Sequence, residues 1–194
     1  SDVARPVFAR LDHAAPALRL AKWNGANWVG LGGGTSGFAY GLAVDPTGAL
    51  LAGGNFSSAG SCANCKYIAK WNGTTWLPYG NGASSFVEAF AFDGAGNLYA
   101  AGRFTSIDTC SSGCAYIARW VPGLVANTGE WIPLGVGVNG EVTALAYTAQ
   151  HSSLFVGGVF STAGGEASPD IARWTAAGRV CGLTAGNSAT ISSL

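Results

Sequence analysis

Methionine is absent from these 194 residues, and histidine occurs only twice. Charge is scarce: 10% of the residues carry it, against roughly 25% in ordinary soluble domains. Ten basic and ten acidic residues cancel. Without a basic excess, a nucleic-acid surface is excluded, because such surfaces draw their affinity from phosphate neutralisation. No apolar run approaches the ~20 residues of a helical membrane span. Disorder is excluded by the opposite feature, an apolar and aromatic composition throughout. The chain opens on Ser1 rather than Met, so the expectation is a processed or partial chain from which a secretory signal has been removed.

What is present repeats. Leu-Ala-Lys-Trp ends at Trp23, Ile-Ala-Lys-Trp at Trp71, and Ile-Ala-Arg-Trp at both Trp120 and Trp174. A second Trp follows as Trp28, Trp76 and Trp131, and then a Gly-rich turn. A period near ~50 residues with several strand-like runs marks a propeller or β-array. One period reads as four short strands: Phe86–Phe92, Leu98–Phe104, Tyr116–Trp120 and Trp131–Leu134, with a Gly/Asn turn at 93–97. Further first strands are Phe38–Val44 and Glu141–Tyr147, and the second strands end at Phe56, Phe104 and Phe160. The predicted fold is all-β, a single domain over 1–194: a β-propeller of about four four-stranded blades. Blades span about 38–80, 86–135 and 141–186, and a composite blade joins 1–34 to 189–194. Counting back from Trp23 makes Phe8 the end of a second strand, at about 3–8, and Ala189–Leu194 aligns with Val142–Tyr147 as a first strand. Closing a ring with both termini removes open sheet edges.

The order of these features resembles kelch-type blades: a Gly-Gly second strand (Gly53-Gly54, Gly157-Gly158), an aromatic third strand, and a Trp opening the fourth. Ala101-Gly102 departs from the double Gly, and Trp stands where kelch repeats usually carry Tyr. The phrase Ile-Ala-Lys/Arg-Trp-Asn-Gly-x-x-Trp resembles kelch-like repeats of secreted bacterial proteins. That resemblance implies a fold and no activity.

Chemistry-bearing residues are few. Cys62/Cys65 and Cys110/Cys114 occupy the same loop of successive repeats, which predicts two local disulfides in an oxidising compartment; a four-thiolate zinc site is the alternative. Cys181 is left over, as a free thiol or an intermolecular link. Asn55 and Asn72 open N-glycosylation sequons. Trp23, Trp71, Trp120 and Trp174 read as packing between blades; Trp28, Trp76 and Trp131 read as more exposed, with ligand stacking as their functional alternative. Lys22, Lys70, Arg119 and Arg173 each precede a third-strand Trp, either as stems packed on the next blade or as a ring of cations for an anion. The turns at 45–48 and 93–97 lack the ligand density of a calcium loop. His13 and His151 belong to no triad or metal motif, no copper-oxidase set of Tyr and His ligands is present, and no sialidase-type Asp box occurs. The expectation is a non-catalytic extracellular structural or assembly protein without cofactor or metal, a surface or filament-type subunit whose partners are copies of itself or other surface proteins and glycans. The alternative is a carbohydrate- or protein-binding lectin-like module.

Overall fold

The computed structural model describes residues 7–10, 19–123, 129–175 and 180–182, with the backbone alone at 7–10 and 180–182. The described residues are all-β and antiparallel, with one turn of 3-10 helix at Ala149–His151. A three-stranded first sheet holds β1 (Val7–Arg10), β2 (Leu20–Trp23) and β3 (Trp28–Gly30). The second sheet holds β4 (Phe38–Val44), β5 (Leu50–Asn55), β6 (Ile68–Trp71) and β7 (Trp76–Pro78). The third holds β8 (Val87–Phe92), β9 (Leu98–Gly102), β10 (Ile117–Pro122) and β11 (Gly129–Pro133). The fourth begins with β12 (Glu141–Thr148) and β13 (Ser153–Val159). A small hairpin of β14 (Thr162–Ala163) and β15 (Glu166–Ala167) interrupts it before β16 (Ile171–Thr175) and β17 (Val180–Gly182). Each sheet is a meander whose strands pair in sequence order.

The core lies between successive sheets. Leu20 and Leu31 of the first sheet share a buried cluster with Leu50 and Trp76 of the second. Leu51 and Ile68 meet Val87 and Phe104 of the third, and Tyr99 and Ile117 meet Val142 and Leu154 of the fourth. β4, β8 and β12 run alongside one another. Alternation along β8 is buried–half-buried throughout, as expected of a strand covered on both faces by neighbouring sheets.

Three repeated devices hold the second, third and fourth sheets. The second strands stop short of Phe56, Phe104 and Phe160, whose rings turn inward and are buried. Tyr67, Tyr116 and Asp170 then take a left-handed φ of 63°, 66° and 63°, rare for such residues. Their N–H groups donate to the carbonyls of Phe56, Phe104 and Phe160. Their own carbonyls accept from the N–H of Gly54, Gly102 and Gly158. Finally, a polar side chain ahead of each first strand caps the loop after the second: Ser36 Oγ accepts from the N–H of Ser57 and Ser58, Ser84 Oγ from Thr105 and Ser106, and Asn139 Oδ1 from Ser161 and Thr162.

Two expectations need correction. Val7 pairs with Trp23 as Leu50 pairs with Trp71, so Phe8 is the second residue of its strand and faces Lys22. Counting back a fixed distance fails because the loop between β1 and β2 is shorter than its counterparts. The first strands also carry a register shift that alternation did not reveal, between Ala39 and Gly41, Val87 and Ala89, and Val142 and Ala144. A bulge at one position in three sheets adds twist there. The expected strand Ala189–Leu194 lies outside the described residues.

Candidate functional site

The two Trp sets are partners rather than separate groups. Trp23 pairs with Trp28, Trp71 with Trp76 and Trp120 with Trp131 across adjacent strands, so each pair shares a face. Their rings meet at 5.6, 5.4 and 5.4 Å. Trp174 pairs instead with Val180. The preceding sheet covers the second and third pairs: the Trp76 Nε1–H donates to the Leu31 carbonyl at 2.8 Å, and Tyr79 packs on Trp120 and Trp131. Trp76 and Trp131 are each only 3% exposed, which corrects their expected ligand-stacking role: neither presents a ring face. Trp28, 45% exposed, keeps one. The expectation that the third-strand Trp pack between sheets fits Trp120 and Trp174, which are buried, and Trp71, half-buried against the cluster that holds Leu31, but not Trp23.

Between successive sheets lie three equivalent clefts. Each sets the basic residue of one third strand against the Trp of the next: Lys22 with Trp71, Lys70 with Trp120, Arg119 with Trp174. Lys22 and Lys70 both line the first-to-second cleft, Lys70 also the second-to-third, and Arg119 the third-to-fourth. In the second-to-third cleft Lys70 is neutralised by Asp45 at 2.8 Å. Asp45 also accepts from Thr47 and from the Ala49 N–H, closing the β4–β5 turn. Burial alone would raise its carboxyl, but Lys70, Thr47 and Ala49 outweigh burial and hold it below its ordinary range. Tyr79, Phe92, Leu98 and Trp120 complete an apolar wall, and burial, then the Asp45 carboxylate, push the Tyr79 hydroxyl up.

The third-to-fourth cleft has different chemistry. Asp93 occupies the same turn position as Asp45, but its Oδ2 accepts from the Asn97 amide and the Tyr99 hydroxyl, at 2.7 and 3.2 Å. Burial opposes ionisation there; Asn97, Ala95 and Tyr99 outweigh it and hold the carboxyl low. Arg119, directly across from Tyr99, keeps a buried Nε with no hydrogen-bond partner. Tyr147, Ser152 and Thr175 line the opposite wall. Sequence reading singled out Arg119 and the turn but missed Asn97, Tyr99 and Tyr147. The available signal was alternation: Asn97 and Tyr99 are two apart, and Tyr99 stands opposite Arg119 in register.

The cysteine pairs lie at disulfide distance, Cys62 with Cys65 (Cα–Cα 5.5 Å) and Cys110 with Cys114 (6.0 Å). Cys65 and Cys114 are buried in different clusters, so the pairs do not converge. No group of His, Cys, Asp and Glu suited to a metal occurs among the described residues. The Cys181 backbone pairs with Arg173; its side chain and all of His13 lie outside the description. His151 is exposed in the 3-10 turn. Asn72 is exposed, its Oδ1 accepting from the Thr74 and Thr75 N–H groups; Asn55 is exposed opposite Phe38. No helix among the described residues is long and apolar enough to cross a membrane.

Another surface feature emerges at the starts of the first strands. Phe38 is 51% exposed and stacks on Tyr40, whose ring reaches Phe86 at 5.9 Å. Arg19 lies over Phe38 and Arg103 over Phe86. Arg103 bridges Glu88 and Glu141, each at 2.8 Å, and Val159 beyond Glu141 is half exposed. Compared with protein-family models and with curated protein sequences, the chain matches none.

Proposed function

We propose that the chain is a non-catalytic extracellular subunit of a surface or filament-type assembly, built as a kelch-like β-propeller. The aromatic strip Phe38–Tyr40–Phe86 is the observation that carries this reading. On a chain with 10% charge and no net charge, little opposes association through such a strip. The propeller reading is supported by meander sheets that pack in sequence order through β4, β8 and β12. It is supported also by a first sheet with three strands among the described residues, against four in the second, third and fourth, for which Ala189–Leu194 is the proposed complement. Two disulfide pairs in surface loops support an oxidising, extracellular setting. Electron microscopy of the purified chain tests the assembly. Ordered oligomers or filaments are expected, lost in Phe38→Ser/Tyr40→Ser; uniformly dispersed single particles at high concentration contradict it.

A second reading, a carbohydrate-binding module, is favoured by the polar third-to-fourth cleft, where an aromatic wall adjoins hydroxyl, amide and guanidinium groups.

A further inference from the structure

In each of the first three sheets, the residue three places after the partner of the third-strand Trp covers the Trp of the next sheet. Trp23 pairs with Trp28, Trp71 with Trp76 and Trp120 with Trp131, so the covering residues are Leu31, Tyr79 and Leu134. Leu31 shares a buried cluster with Trp76 and Trp71, and Gly32 beside it leaves no room for a Cβ against the Trp71 ring. Tyr79 packs on Trp120 and Trp131. Leu134 lies in one cluster with Trp174, and Gly135 approaches the same ring. The hydrogen bond that Trp76 makes to Leu31 does not recur at Trp131, so the apolar cover is what repeats. The pair of the first sheet is the exception. Lys22 lines the first-to-second cleft, so by alternation Trp23 and Trp28 point away from the second sheet. Among the described residues nothing covers them: Trp23 is 37% exposed and Trp28 45%.

We infer that the Trp23–Trp28 face is the docking site for Leu183 of the same chain, which carries the end of the fourth sheet onto the first; the inference rests on the propeller reading above. In the fourth sheet Trp174 pairs with Val180, and the residue three places after Val180 is Leu183. The run Val180-Cys-Gly-Leu183 therefore stands where Trp28-Val-Gly-Leu31 stands in the first sheet, with the same Gly and the same Leu. Leu183 itself lies outside the described residues. A leucine suits the face on chemical grounds. Two tilted indoles left in water forfeit the burial that the second and third pairs have. An apolar side chain restores it and needs no polar partner, as the cover over Trp131 shows. This contact is distinct from the strand proposed at 189–194. That strand would pair with a sheet edge through its backbone. Leu183 would cover a sheet face through its side chain.

Hydroxyl-radical footprinting of the full chain, read by tandem mass spectrometry, reports each indole separately. Trp23 and Trp28 are expected to label within about threefold of the buried Trp76, unchanged on tenfold dilution of the chain. Leu183→Asp puts a charge against the face and is expected to raise labelling of Trp23 and Trp28 at least about fivefold. Trp76 and Trp131 should not change, and they serve as the folding control. Leu183→Ala, expected to give a smaller rise at the same two residues, replaces Leu183→Asp if that variant unfolds. The inference is overturned if the folded variants leave Trp23 and Trp28 protected, because another segment then covers them and the propeller reading stands. It is overturned equally if protection fades on dilution, because a second copy then supplies the cover. Free labelling of Trp23 and Trp28 in the unaltered chain rejects the docking and the closed ring together.

Discussion

Gly54, Gly102 and Gly158 sit where a Cβ would fall 2.0, 2.1 and 2.1 Å from the carbonyl oxygens of Phe38, Phe86 and Glu141. Backbone cannot yield there, so the second glycine of each pair is required sterically. At the first position a Cβ on Gly53 would press at 2.8 Å on side chains, the Phe90 ring and Val87, rather than on backbone, and Ala101 stands at the matching place in the third sheet. Gly102→Ala is expected to cost about 2 kcal/mol or more in chemical denaturation, as forced overpacking does. Ala101→Gly should cost about 1 kcal/mol or less. Trp76→Ala removes a buried ring and one of the two donors to the Leu31 carbonyl, which keeps the Gly34 N–H, so a loss of about 3–5 kcal/mol is expected in the same measurement. Acid sensitivity belongs to the two turn aspartates, Asp45 and Asp93, both held low; Asp45 is the one that pairs with a lysine. Its folded pKa lies below the ordinary 3.8, so the stability it contributes is present above pH ~4 and is lost as pH falls through the folded value. Asp45→Asn should flatten the acid limb of a stability–pH curve; an unchanged limb would show that the Lys70 pair contributes nothing measurable.

At the scale of elements, strands and turns were legible because alternation, Gly/Asn turns and the repeated Trp fix where a pleated chain reverses. The runs Phe38–Val44 and Glu141–Tyr147 lie within a residue of β4 and β12. The bulges were not legible, since one extra residue in a strand leaves the composition unchanged. Nor was the pairing of Trp71 with Trp76, which depends on register; hence the misjudged exposure of Trp76 and Trp131. Arg119 was visible as a cation, but its meeting with Tyr99 and, through it, Asp93 was not, because that depends on register. The Cys loops give an independent prediction. Each closes only a short ring, so breaking one by double Cys→Ser substitution should cost about 2 kcal/mol on the chain-entropy account. Thiol alkylation of the unfolded, unreduced chain should modify one cysteine, or none if Cys181 is linked; modification of all five would contradict the pairing.

For the whole molecule, the account turns on how the first sheet, three-stranded among the described residues, is completed. An unfilled edge exposes unpaired N–H and C=O groups, and three arrangements would fill it: self-closure by 189–194, exchange of ends between two chains, or donation to the next chain in a fibre. Self-closure is the arrangement proposed, with assembly through the aromatic strip as a separate, later step. Deleting residues 189–194 and following both thermal unfolding and sedimentation velocity separates these directly. The account predicts a destabilised monomer, melting more than about 5 °C lower or unfolded outright. A deletion that leaves a folded monomer with unchanged melting, and abolishes an oligomer formed by the full chain, would assign the strand to a neighbour and contradict the closed ring.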